Sequence, residues 1–184
     1  MSTRVVVTGA SGFLGTLLTR RLLSEPVALG GRAPADQVHQ GQLGDARRRA
    51  GRRPGAVSGI IREPLAGARA RCPVDPDTPV ALSSPRRSVE GIVVAAAVDD
   101  ATWGSRTALT LPALRTTPRE MAAALDRVAG KPLSDLVDWH VDPAVEAIVG
   151  TWPARIHASR AEKLGLRAEA SFDDVVREYL TRDM

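Results

Sequence analysis

A short β-branched run leads straight into a glycine triplet, Val5-Val6-Val7-Thr8-Gly9-Ala10-Ser11-Gly12-Phe13-Leu14-Gly15, and the helical stretch Thr16 to Ser24 follows at once. The order strand, glycine turn, helix N-terminus restricts the fold more than any other feature of the chain. It reads as the opening βα unit of a doubly wound sheet, and such a unit cradles a dinucleotide pyrophosphate. In this reading Gly9 makes the tight turn, Gly12 lets the backbone approach the phosphates, and Gly15 lets helix and strand pack closely. The first-turn N–H groups and the positive end of the helix dipole then meet the anion. The chain holds 16 glycines, so the spacing alone is a moderate signal, and a strand–turn–helix without ligand is the competing reading. Context weighs against it. The strand is almost purely β-branched, and Leu14, Leu17, Leu18 and Leu22 recur at helical spacing, giving the helix a stripe that can pack on a sheet. The cofactor-binding candidates are therefore Gly9, Ser11, Gly12, Phe13, Leu14 and Gly15.

A length of 184 residues suits one domain, or one and a fraction. Aromatic residues are only 3% of the chain, so Ala, Val and Leu must fill the core. The net charge of +4 is unevenly spread: Arg47, Arg48, Arg49, Arg52, Arg53, Arg62, Arg69 and Arg71 crowd one stretch. That run lacks the interleaved aromatics that stack on bases, so a solvated connector is favoured over a nucleic-acid site. The single cysteine, Cys72, excludes an internal disulfide and a multi-cysteine zinc site. His39, His140 and His157 have no metal-ligand spacing, and no metal site is expected. No apolar run reaches the roughly 18 residues of a membrane span. With no leader pattern before the first strand, the expected compartment is the cytoplasm.

Past the first helix the pattern weakens. Residues 33–55 show no good period of either kind, and no convincing second, third or fourth strand follows. The next β-branched runs are Gly59-Ile60-Ile61 and Gly91-Ile92-Val93-Val94. Pro85 to Val98 reads as a helix or a buried strand, with Val89, Ile92, Val93 and Ala96 favouring helix. Thr107 to Leu111 is a short strand candidate. Thr117, Pro118 and Glu120 form a capping box for a helix with Met121, Leu125 and Val128 on one face, stopping at Gly130. Leu136 to His140 reads as a strand, and Asp142-Pro143 opens a helix ending near Gly150. His157 to Leu164 is a short helix closed by Gly165. Ser171 caps a last helix whose stripe is Phe172, Val175, Val176, Tyr179 and Leu180.

The fingerprint Thr8 to Gly15 resembles the cofactor motif of the NAD-dependent epimerase/dehydratase family, the extended short-chain dehydrogenases. The second half sharpens the likeness. Ser58 to Gly67, Cys72-Pro73-Val74, Ser84-Pro85-Arg86, Trp152 to Arg155, Arg160 to Gly165 and Ala170 to Asp173 resemble the D-erythronate dehydrogenase branch of that family. The resemblance covers roughly residues 3–30 and 57–182. It implies an α/β fold: an incomplete Rossmann-type NAD-binding domain joined to a small, mostly helical C-terminal substrate-type domain. The division it suggests is residues 1–31 for the first βα unit, 32–56 for an irregular basic connector at an internal deletion, and 57–184 for the substrate-type part.

The resemblance also implies the ligands, NAD and a small 2-hydroxy sugar acid. Asp36 stands about 20 residues beyond Gly15, where an acid binds the adenine ribose hydroxyls; a solvated loop aspartate is the competing reading. Arg86 sits where relatives place a basic residue towards the substrate, and a guanidinium can grip a carboxylate with two parallel hydrogen bonds. A surface ion pair is its alternative role. The family's catalytic serine or threonine and its Tyr-x-x-x-Lys pair have no match. The one tyrosine, Tyr179, is followed four positions later by Asp183 and lies in a helix stripe. No catalytic residue is therefore assigned, and partial cofactor binding without turnover is the leading expectation. Three others stand beside it. One is a working oxidoreductase with its acid–base supplied by an unrecognised residue or a partner chain. Another is a basic module for anionic partners built on the arginine stretch. The last is a deletion product that folds poorly.

Overall fold

The structure is a computed structural model and describes residues 12–24, 59–105 and 108–182. The strand expected at Val5 to Val7 and the connector 32–56 lie outside the described residues.

In chain order the elements are α1 (Phe13–Ser24), α2 (Gly59–Leu65), β1 (Ala70–Cys72), β2 (Val80–Leu82), α3 (Pro85–Ala97) and α4 (Asp100–Trp103). Then come β3 (Leu114–Thr116), α5 (Pro118–Ala129), a 3-10 turn (Leu133–Leu136), β4 (Val137–Trp139), α6 (Pro143–Val149), α7 (Ser159–Lys163) and α8 (Phe172–Arg182). They gather into two compact units, and the chain passes between them more than once. The first unit contains α1, Ser83–Pro112 and His157–Arg167; the second contains α2 to β2, Ala113–Ile156 and α8. The stretch 57–184 is thus distributed over both units.

In the second unit α5 carries the core. Thr117 Oγ1 accepts the Glu120 N–H at 3.2 Å, and the Glu120 carboxylate accepts the Thr117 N–H at 2.9 Å. This reciprocal box, with Pro118 at the first turn, sets where the helix starts. Gly130 ends it at a φ of 67°, a left-handed conformation that a residue without a Cβ adopts without strain. Between these ends Met121, Ala122, Ala124 and Leu125 are buried against Ile60, Val74, Val80, Phe172 and Val176. Arg127 of α5 pairs with Asp173 of α8 at 2.6 Å, and Asp126 accepts the Ser134 N–H at 2.7 Å, so polar contacts tie α5 to α8 and to the 3-10 turn.

Two small sheets border this core. β1 pairs with β4 in parallel, Ala70 opposite Val137 and Cys72 opposite Trp139. Ala70 and Cys72 face inward while Arg71 is exposed, the period-two pattern of a half-buried strand. β2 pairs antiparallel with β3, Val80 opposite Thr116 and Leu82 opposite Leu114. α6 is capped by Asp142, whose carboxylate accepts the Ala144 N–H at 2.9 Å. Its Glu146 then accepts the Asp75 N–H at 2.8 Å and the Thr78 hydroxyl at 2.7 Å, tying α6 to the turn between β1 and β2.

In the first unit α1 packs against α3. Ser84 caps α3, its Oγ accepting the Arg87 N–H at 3.2 Å, and Pro85 occupies the first turn. Leu111 seats on α3 at Gly91, where a Cβ would lie only 2.5 Å from the Leu111 Cδ2. Arg160 of α7 donates to the carbonyls of Trp103 and Ala108 and lies 4.4 Å from the Trp103 ring centroid. One guanidinium therefore joins α7, α4 and the segment at Ala108.

Three expectations are corrected. The β-branched run at Gly59 to Ile61 is helical, and Gly91 to Val94 lies in α3, the helix that the spacing favoured over a buried strand. Both are buried on one face, which an apolar run cannot distinguish from a strand. Pro64, which lacks an N–H, and Gly67, at a φ of 75°, close α2 after two turns. Residues 108–112 form no strand, because Leu111 is engaged with α3 and Pro112 has no donor for a ladder. The strand lies further on, at Leu114–Thr116. Finally, the buried side of α3 is Val89, Gly91 and Val93, whereas Ile92 is 41% exposed and Ala96 faces solvent. The helix is turned towards the residue that sits on its glycine.

Candidate functional site

The opening of α1 is the described part of the expected phosphate cradle. The Thr16 N–H donates to the Gly12 carbonyl at 2.9 Å, so helical hydrogen bonding begins at the second glycine of the fingerprint. Gly12 is exposed, as are Phe13 at 46% and Leu14 at 42%, while Gly15 is partly buried one turn in. The first turn carries no acidic side chain. A carboxylate there would repel phosphate, and the first turn itself contributes none. These residues fit a dinucleotide pyrophosphate. Gly9, Ser11 and Asp36, the other cofactor candidates, lie outside the described residues.

Arg86 stands at the start of α3, directly after the Ser84-Pro85 cap, and is exposed. Its neighbour Arg87 is held by Glu90 at 2.7 Å. Ser83 Oγ and Arg87 Nε are screened from solvent here and make no hydrogen bond with the described residues. Ser83 and Arg87 escaped the sequence reading, although the run Ser83-Ser84-Pro85-Arg86-Arg87 carried the signal: a cap, a first-turn proline and two cations in succession. Because α1 packs against α3, the helix of the fingerprint and the helix of Arg86 belong to one unit.

Tyr179 does not join this group. It is partly buried on α8 of the second unit, between the core residues Val175 and Leu180. Asp183 lies outside the described residues. The groups whose titration the fold displaces belong to structural contacts. Asp77 is held below the usual carboxylate range by hydrogen bonds from Arg119, Asp173 by those from Arg127, and Asp99 by the Thr102 N–H at the α4 cap. Burial pushes the Cys72 thiol up, the setting of an inert packing residue rather than a nucleophile.

Among the described residues no group of histidine, cysteine and carboxylate side chains is arranged to hold a metal ion, and His140 and His157 are exposed. None of the described helices is long and apolar enough to cross a membrane. Of the arginine stretch, Arg62 pairs with Glu63 at 3.6 Å and Arg69 and Arg71 are exposed; Arg47 to Arg53 lie outside the described residues.

No protein-family model matches the chain. It is 48% identical over 124 residues to the D-erythronate dehydrogenase of Cupriavidus necator, a match covering 67% of this chain and 38% of that protein. To the D-erythronate dehydrogenase of Haemophilus influenzae it is 31% identical over 128 residues, covering 70% of this chain and 41% of the relative. The chain thus spans about two fifths of the length of the curated relatives it matches. Among solved structures it is similar to the nucleoside-diphosphate-sugar epimerase from Agrobacterium tumefaciens, with a TM-score of 0.62 and 28% identity over 82% of this chain and 40% of the other. An L-threonine dehydrogenase from Cupriavidus necator gives a TM-score of 0.61 at 18% identity, covering 76% of this chain and 49% of the other. That last likeness is one of fold. The expected class is borne out: the chain has the α/β, Rossmann-type fold of these neighbours, and the described residues are helix-rich with few parallel strands.

Proposed function

The chain belongs to the NAD-dependent epimerase/dehydratase family, and from that premise we propose that it keeps a partial dinucleotide site but does not carry out the hydride transfer of its full-length relatives. The observation that carries the reading is the opening of α1, exposed, glycine-led and free of acidic side chains, on a helix packed against α3. In this proposal the backbone of Gly9, Ser11, Gly12, Phe13 and Leu14 holds the pyrophosphate. Gly15 lets α1 pack closely, and Asp36 receives the adenine ribose hydroxyls. Arg86, with Ser83 and Arg87 beside it, takes the carboxylate of a small 2-hydroxy sugar acid such as D-erythronate. The stretch 57–184 corresponds to the substrate-type part, and the compartment is the cytoplasm.

When bound, NAD would supply hydride acceptance. The residues of this chain would orient it, but the sequence offers no tyrosine–lysine pair to take the proton from a substrate hydroxyl. Loss of a positioned acid–base costs ~10²–10⁴-fold in rate. The proposal therefore separates binding from turnover.

Thermal unfolding with and without NAD tests it. A ligand that binds only the native state adds RT ln(1 + [L]/Kd), about 1.4 kcal/mol at ten times Kd, or roughly 3–6 °C for a chain of this size. The expected result is a cooperative transition raised by NAD in the native sequence and indifferent to it in Gly12→Val, with no NAD reduction on added D-erythronate. A transition that NAD does not move would overturn the binding half. Turnover at ordinary enzyme rates, ~1–10³ per second, would overturn the other.

A further inference from the structure

We draw no further inference here: the strongest candidate, the surface patch of exposed apolar side chains around β4 and α6 in the second unit (Trp139, Val141, Ile148 and Trp152), carries nothing because nothing in the structure shows what covers it.

Discussion

Gly91→Ala isolates the contact that orients α3, and the structure sets both its sign and its size. An added Cβ would lie 2.5 Å from Leu111 Cδ2, 2.8 Å from Cδ1 and 3.3 Å from Cγ. Rotating the leucine exchanges its methyls without clearing the branch carbon, so the whole side chain must withdraw. Such overpacking costs about 1–3 kcal/mol. Replacing a mid-helix glycine by alanine returns about 1 kcal/mol through backbone entropy and helix propensity. The net expectation is a loss of roughly 0–2 kcal/mol, lowering the thermal midpoint by up to about 8 °C. The decisive assay is a double-mutant cycle with Leu111→Ala, read by chemical denaturation. Once the obstacle is gone, Gly91→Ala should stabilise by ~0.4–1 kcal/mol, so its sign reverses between the two backgrounds. Equal effects of Gly91→Ala with and without Leu111 would refute the contact, and with it the account of why Ile92 faces solvent.

Three further outcomes follow from the same geometry. Thr117→Ala removes the oxygen that accepts the Glu120 N–H and should cost about 1 kcal/mol, while Thr117→Ser retains most of the stability; identical midpoints for the two variants would contradict the capping box. Arg160→Ala should destabilise the first unit by roughly 1–3 kcal/mol and change the Trp103 emission, measured with Trp139 and Trp152 replaced by phenylalanine. Arg160→Lys should recover only part of that, since an ammonium cannot stack on the ring and reach both carbonyls; a full recovery would argue for charge alone. For acid stability the sign is fixed by Asp77, Asp99 and Asp173, each held below its ordinary value in the fold. Their contribution is complete above the unfolded carboxylate value of about 3.9 and is lost as pH falls through the lowered folded values. The midpoint should therefore drop below about pH 4, with Asp173→Asn losing less than the native sequence over that interval; a midpoint that rises on acidification would be incompatible.

Much of the candidate site was legible because its signals are local. The glycine spacing announced α1, which begins at Phe13 and so three residues before the expected Thr16, and the helix favoured from Pro85 is α3, which begins beside Arg86. Two parts were not legible. That α1 rests on α3 could not be read, because it joins segments far apart in the chain through faces that any apolar helix could offer. That Ser83 Oγ and Arg87 Nε are shielded there could not be read either, since burial belongs to the surroundings of an atom and not to its residue type. That Tyr179, the one tyrosine, is followed four positions later by Asp183 and not by a lysine, in contrast, is written in the sequence and needed no coordinates.

The sequence by itself determined the ends of the elements. The Thr117 box, the Asp142-Pro143 cap, the Ser171 cap and the glycines at 130 and 165 act through bonds within one helical turn, and each stands where its residues put it. Tertiary structure alone decided what the apolar runs pack against. Gly59 to Ile61 has a strand's composition but is helical against the core around Leu125, and the helix of Gly91 to Val94, which the spacing favoured, owes its buried face to the side chain of Leu111. The three-residue strands β1 and β2 are equally silent in isolation. A strand of that length has no stability of its own and exists only through the ladder it shares with β4 or β3, so its position depends on a distant part of the chain.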